Sequence, residues 1–413
     1  MARAPRAPGP RPIGGRRRVA DPGNLPCVAN PTLADVVAAL DALYPPSLAA
    51  DWDAIGLACG DPGELVRAVL FAVDPVEVVV DEAIELGVDL LVTHHPLFLR
   101  GTSSVATTTS KGRSVHRLIR AGIGLHVAHT NADHANPGVS DALAAVFGLR
   151  ETRPLEPLPA PALDKVIVFV PEPDAEKLID ALAAAGAGDI GDYERCAWTT
   201  TGIGTFLPQF GANPAVGAVG EIAHVDETRV EMVFARAART DVIGALRAAH
   251  PYEEPAFDIV ELAGWPGDTG TGRVGDLPAL MSLRAFAARV GSALPSTLGG
   301  GRVAGDLDRE VRRVAVCGGA GDAYLRQAST SGADVFVTAD LRHHVASEHL
   351  ADGGCAVVDM PHWATEWPWL ADAARRLRDA LAERGTTVST VVSTTPTDPW
   401  VARVPAETRK DPH

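Results

Sequence analysis

Three clusters of histidine and carboxylate, each placed just after an apolar run, are what this sequence offers for chemistry. The first is His94-His95, which ends the run VDLLVTHH and is followed at once by Pro96. In a continuing strand the two rings would point to opposite faces; proline takes the chain out of the strand, so both imidazoles can enter one cleft. A metal-binding pair and a pair of hydrogen-bonded turn histidines are both compatible with this. The second is HTNAD, His129 to Asp133, after the run IGLHVAH. Asp133 offers a hard oxygen, and His129 is either a ligand or the partner that orients one; Asn and Asp after a strand also serve as plain turn residues. The third is DMPHWATEWP, where His362 and Glu366 stand four apart at a helix start, on one face with Cβ atoms about 6 Å apart. The arrangement follows the logic of the paired histidines in HExxH. All three clusters follow predicted strands, and the same edge of a parallel sheet can gather them. Three imidazoles, one Asp and one Glu are too few to saturate two ions, but Glu366 bridging both, with water filling the rest, makes a dinuclear hydrolytic site.

Other stretches have two readings each. In TADLRHHVASEH, Asp340, His343, His344 and His349 are orienting groups or proton shuttles, or else surface residues of a helix. CGGAGD, Cys317 to Asp322, offers backbone N–H groups to a phosphate or is an ordinary tight turn, with Cys317 a small buried residue. HPYEEPAFDI, with His250, Tyr252, Glu253 and Glu254, is assigned to a structural turn or a subunit contact.

The elements that must position these groups alternate between short apolar runs and helical periods, which predicts an α/β fold with a mainly parallel sheet. A helix is expected from an N-cap at Thr32 to the stop at Pro45 and Pro46, a strand at Ala68 to Val73, and a helix from Pro75 in its first turn to a C-cap at Gly87. A helix near Val115 to Ala121 and another over Val139 to Phe147 flank the strand that ends at His129. The proline-rich PLEPLPAPA reads as a domain boundary and GWPGDTGTGRVG as a glycine-rich link. Between them the order of strands and helices suggests a ferredoxin-like α+β unit. The division expected is a disordered basic tail over 1–28, the first half of the core over 29–153, the inserted unit over 154–268, the second half over 269–400 and a tail over 401–413. Two independent α/β domains flanking a third would give the same pattern.

At 413 residues, 46% hydrophobic, the chain is too long for one small core. It has no apolar run long enough for a transmembrane span. A net charge of −15 would repel a phosphate backbone, so small molecules or proteins are the expected partners rather than DNA or RNA. Five cysteines without a CxxC indicate neither a disulfide scaffold nor a cysteine zinc site, which fits a reducing cytoplasm. Arg16 to Arg18 are followed by no apolar stretch of the kind an export signal needs.

Taken together, THHPLF, AHTNAD, TADLRHH and DMPHWATEWP resemble, in this order, the signature segments of the Nif-three-like dinuclear metal-binding family, known as GTP cyclohydrolase I type 2 homologues. The resemblance spans about residues 30 to 400, and GDYERCAWTTTGIGTFLP and HPYEEPAFDI look like the inserted PII/CutA-like domain of its longer members. It implies His94, His95, Asp133, His362 and Glu366 as ligands of two divalent ions (zinc, iron, manganese or magnesium), with Glu366 bridging. It places His129 and His344 on the cleft and implies a homohexamer. On this footing the expected activity is metal-dependent hydrolysis of a nucleotide or related heterocycle, with His129 or His344 moving the proton that opens a guanine imidazole ring. The alternative is a non-enzymatic metal-binding or metal-delivering protein, or a regulatory hexamer. Two positions depart from the family pattern: Ala54 stands where the early WDNxGL segment has Asn, and Pro361 where glycine commonly precedes the histidine.

Overall fold

The computed structural model describes residues 29–404, so the basic stretch read as a disordered tail, and most of the C-terminal tail, lie outside the described residues. The chain divides into two compact units, one formed by the segments up to Glu156 and from Thr269, the other by Pro157–Asp268.

The first unit holds two sheets, not one. In the five-stranded sheet the order is Gly56–Cys59, Gly124–Val127, Leu90–Thr93, Ala68–Ala72 and Ser389–Val392, parallel except for the first strand at its edge. The six-stranded sheet runs Arg302–Ala304, Ala356–Asp359, Val335–Ala339, Glu310–Ala320, Pro266–Ser282 and Arg150–Pro159. Its middle three strands are parallel, and the strands pairing on either side of them are antiparallel. Each half of the unit thus builds its own parallel centre, which corrects the expectation that one sheet edge gathers the three clusters. The reason is the return of the chain end: Ser389–Val392 pairs with Ala68–Ala72 and completes the first sheet instead of extending the second.

Apolar runs buried on both faces make these centres, as parallel strands require. Side chains alternate between two clusters. Val69, Phe71, Leu90 and Val92 enter a core that also takes Val314, Val316, Val335 and Val337 of the other sheet. The helix His362–Glu383 contributes Trp369, Leu370, Leu377 and Leu381 to this same core, so it packs against both sheets. Leu70, Ala72 and Leu91 face the opposite way, under the helices Glu77–Leu86 and Ser110–Ala121.

Helix ends follow local chemistry. Thr32 caps Leu33–Leu43 reciprocally with Asp35, and Gly87, at φ 65°, closes Glu77–Leu86 in the left-handed conformation. That helix begins after Val76, so Pro75 stands outside its first turn. The division between the units falls inside the proline-rich and glycine-rich stretches, and at both places the chain is strand rather than loose coil. Arg150–Pro159 is an edge strand, where proline interrupts no second ladder. In Pro266–Ser282 the glycines admit close backbone: a Cβ on Gly272 would lie 2.8 Å from Val316 O, and one on Gly275 2.8 Å from Arg150 O.

In the second unit the strands Leu163–Pro171, Trp198–Phe206, Ala223–Ala235 and Phe257–Glu261 alternate with the helices Ala175–Ala184 and Arg239–Ala249. In chain order they form βαββαβ, and in the sheet they stand second, third, first, fourth, all antiparallel, which is the ferredoxin-like arrangement. Val166, Val168, Val230, Met232 and Phe234 pack under both helices, leaving the other sheet face free of them. No helix among the described residues is long and apolar enough to cross a membrane.

Candidate metal centre

Four imidazoles of the first unit converge, each oriented the same way. His94 and His95 follow the strand Leu90–Thr93, and their rings lie 5.1 Å apart in one cleft. His129 precedes the short helix Thr130–His134, and His362 opens the long helix. The Nδ1 atoms meet acceptor oxygens: Ala128 O for His94 at 2.9 Å, Asp74 for His95 at 2.7 Å, Asp53 for His129 at 2.8 Å and Asp340 for His362 at 2.6 Å. An acceptor at Nδ1 requires the proton there, so each ring in its neutral form keeps a bare Nε2 lone pair. Those of His94, His95 and His362 turn toward the buried Glu366.

Glu366 sits one turn into the long helix, and its two oxygens address different rings. Oε1 is 2.9 Å from His362 Nε2 and 3.5 Å from His94 Nε2, while Oε2 is 3.2 Å from His95 Nε2. Asp133 Oδ1 is 3.7 Å from His94 Nε2. Ligand atoms of His94, His95 and His129 lie within 4.8 Å of one another, as do those of His95, His362 and Glu366, so His95 belongs to both groups. With the rings neutral this is a concentration of acceptors, and a proton or a cation must sit among them. His95 Nε2 and His362 Nε2 are only 3.3 Å apart, and the buried His94 Nε2 and Glu366 Oε2 have no hydrogen-bond partner.

The charges respond to this crowding. Burial pulls the His95 pKa down, but the Glu366 and Asp74 carboxylates outweigh it and hold the ring well above its usual value. His362, buried but facing Glu366 and Asp340, is raised to about 9. For Glu366 burial acts upward, and the His95, His94 and His362 rings override it and hold the carboxyl well below the usual range. Burial raises Asp133, and it lowers His129, with His94 adding to the effect.

The walls are specific. Gly319, at φ 70°, leaves room that a side chain would take: a Cβ there would lie 2.5 Å from Glu366 Oε1 and 3.1 Å from His362 Nε2. Its N–H donates to Thr365 Oγ1 at 2.9 Å and its carbonyl accepts from Thr338. CGGAGD is therefore neither a free turn nor a phosphate loop but a bulged strand end lying against the cluster. The Trp369 ring, 5.4 Å from that of His94, is anchored by donating to the Tyr44 hydroxyl. Trp52, 61% exposed, meets the outer edge of His129.

The family model for Duf34/NIF3 (NGG1p interacting factor 3) matches residues 31–399. The chain belongs to the Duf34/NIF3 family. A Mycobacterium leprae relative called GTP cyclohydrolase 1 type 2 homolog is 52% identical over 369 residues, 89% of this chain and 94% of that protein. A Bacillus subtilis relative of the same name is 39% identical over 365 residues, 88% and 97% of the two chains. The crystal structure of a Bacillus cereus protein related to NIF3 is 38% identical with a TM-score of 0.71, covering 90% of this chain and 99% of that one.

Within this NIF3-family chain the structure brings together His94, His95, Asp133, His362, Glu366 and His129 from both segments of the first unit. It does not bring His344 to them. His344 is exposed at the start of the helix His343–Ala351, its ring 5.1 Å from that of His343, and among the described residues no hydrogen bond or ring contact ties it to the cluster. His349 bonds to Cys355 O. Asp340 does orient a cluster ring, from a left-handed backbone (φ 59°) that Asp tolerates better than most residues. Asp53 and Asp74, which hold His129 and His95, were not singled out from the sequence. The signal was available: Asp74 and Asp340 both stand just past the end of a buried parallel strand, as His94 and His95 do. His250 lies in the second unit, where Nε2 meets Phe169 O at 2.9 Å and Nδ1 accepts from Tyr252 N at 3.0 Å.

The donor set fits divalent cations. Neutral imidazole nitrogens and carboxylate oxygens suit zinc, iron or manganese, and the unpaired buried atoms at the centre are those a cation would satisfy.

Proposed function

We propose that this protein holds two divalent ions on His94, His95, Asp133, His362 and Glu366, with Glu366 between them, and hydrolyses a nucleotide or related heterocycle. One observation carries the reading: Nδ1 bonds orient the rings so that their Nε2 atoms and the two oxygens of Glu366 converge in a buried place where, among the described residues, His94 Nε2 and Glu366 Oε2 have no hydrogen-bond partner. Ions bound there would supply Lewis acidity and make water a stronger acid. The chain's own part is orientation and proton handling. Asp74 and Asp340 hold His95 and His362; Asp53, also bonded to Thr130, holds His129. With its pKa lowered by burial, the His129 ring is neutral at pH 7 and can take a proton on its other nitrogen. The exposed Trp52 ring beside it offers a flat surface on which a heterocycle can stack.

The name shared by the relatives makes GTP the first substrate to test. Protein whose metal content has been verified by elemental analysis is expected to turn over GTP or another member of a nucleotide and phosphoester panel, and His362→Ala and Glu366→Ala to abolish that turnover. If GTP is untouched while a control cyclohydrolase consumes it, the GTP assignment is discarded. A second reading, a metal-binding or metal-delivering protein or a regulatory hexamer, is favoured by the position of His344 away from the cluster. It predicts that both variants lose metal while the parent turns over nothing in the panel. We further read the assembly as a cytoplasmic homohexamer and the second unit as PII/CutA-like; sedimentation of the purified chain tests the first.

A further inference from the structure

The second unit contains a cavity of about 640 Å³, a size suited to a small organic ligand, lined by residues of that unit alone. Its floor is the sheet face turned away from the helices. Val230 and Met232 pack under the helices, so Glu227 and Arg229, in alternate register, stand on the opposite face. Phe169, Phe206, Leu207 and Pro208 supply apolar wall, and the segment from Tyr252 to Ala256 closes one side.

The charges there are not balanced. Arg229 meets Glu231 at 2.8 Å, a carboxylate it shares with Lys165, and its guanidinium lies 5.9 Å from the Phe169 ring centre with the buried Nε unpartnered among the described residues, so it is the one cation set against the carboxylates of the lining. Glu227 has no cationic partner among the described residues. Its carboxylate is nevertheless held in place: Oε1 accepts from the Tyr252 hydroxyl at 3.0 Å, and the group lies over Gly204, where a Cβ would come within 2.0 Å of Oε2. Glycine at 204 thus makes room for a fixed carboxylate on bare backbone. Exposed Glu253 and Glu254 add negative charge to the lining. An apolar cavity with one fixed, unpaired carboxylate is complementary to a cation carried on a hydrocarbon body.

We propose that this cavity is a binding site for a small organic cation, an ammonium or guanidinium on an aromatic or aliphatic frame, whose charge meets Glu227 while its body lies against Phe206 and Leu207. The site is independent of the metal centre. Saturation-transfer NMR and calorimetry on the full chain, with phenethylamine, agmatine and spermidine as probes, test it against 3-phenylpropionate, which has a similar frame and the opposite charge. At least one amine is expected to bind saturably at millimolar concentration or below, and phenylpropionate at least tenfold more weakly than phenethylamine. Glu227→Gln, which keeps an acceptor for Tyr252, is expected to weaken the amine at least tenfold and erase the preference. Silence from all three amines, equal or tighter binding of phenylpropionate, or an unchanged Glu227→Gln overturns the proposal. Should that variant fail to fold by circular dichroism, the surface double variant Glu253→Gln with Glu254→Gln decides: a two- to fivefold loss supports the site, and unchanged amine affinity overturns it.

Discussion

The metal cluster of the first unit and the cavity of the second both depend on carboxylates beside aromatic rings, but they spend that charge differently. In the first, Glu366 is buried among imidazoles whose Nδ1 protons are directed away from it, so its charge is met only when those rings take a second proton or a cation enters. In the second, Glu227 is half-buried on a sheet face, fixed by one hydroxyl and open on its other side. The first could hold an ion and would be sensitive to any change in its geometry; the second offers a surface and tolerates more. The largest effect that separates them is expected from Glu366→Ala, which removes the group shared by both halves of the cluster. Ion affinity should fall more than about 100-fold, beyond what loss of an outer carboxylate costs, while Glu227→Gln keeps its full metal content by elemental analysis. Equal metal loss in the two variants would break the comparison.

Next is Arg273, buried in the first unit. It donates to Asp141 at 2.8 Å, to Gly270 O and Gly272 O, and to Ala135 O at 2.6 Å, just past the short helix that carries Asp133. Arg273→Met leaves Asp141 and three carbonyls without their donor. Breaking such a buried pair costs about 3–5 kcal/mol, read as a lower urea midpoint, and it should loosen Asp133 as well. The second unit's Arg236 and Arg239, partly exposed on Asp164, have solvent to replace them and should matter less.

Smaller again are the outer carboxylates of the cluster. Asp74→Asn and Asp340→Asn keep the size of the side chain but remove the charge that fixes the His95 and His362 rings. Ion affinity is expected to fall about 10- to 100-fold in each, measured by competition with a chromophoric chelator. Unchanged affinity in both would mean that the rings are held by packing alone.

Asp340 reads from the sequence as an orienting group, whereas Asp74 marks where sequence reading stops. His94, His95, Asp133, His362 and Glu366 were legible because ligand-type residues followed apolar runs at spacings that can converge. The route by which they meet was not, since one sheet edge was expected and two sheets around a shared helix are found. Gly319 was hidden inside a motif that reads as a turn, because the constraint on it comes from Glu366 and His362, which are distant in sequence, together with its positive φ. The link read at residues 264–275 does carry the division between the units, but it is part of the strand Pro266–Ser282, because glycines that permit close strand approach carry the same letters as a flexible tether. His344 shows the limit from the other side: it has the right residue type after the right kind of strand, but it opens a helix at an exposed position where, among the described residues, no hydrogen bond or ring contact ties it to the cluster.

The smallest effects come from two buried histidines, one in each unit, that differ in whether their nitrogens are served. His250 of the second unit has both nitrogens bonded, so His250→Leu strands Phe169 O and the Tyr252 N–H and should cost about 1–3 kcal/mol. His126, on the strand Gly124–Val127, has a buried Nδ1 with no partner, and burial pushes its pKa down to about 4. The unfolded ring titrates near 6.5, so below that pH the unfolded chain binds the proton that the folded chain refuses. Stability is therefore whole above 6.5 and falls as pH drops toward 4, by about 2 kcal/mol at pH 5 from this residue. His126→Leu removes the unserved nitrogen and the proton together. Chelator-treated protein, used so that metal release does not enter, should show the variant gaining on the parent between pH 7.5 and pH 5 in urea unfolding. A constant difference across that range would place the His126 ring in contact with a proton source and remove the contrast with His250.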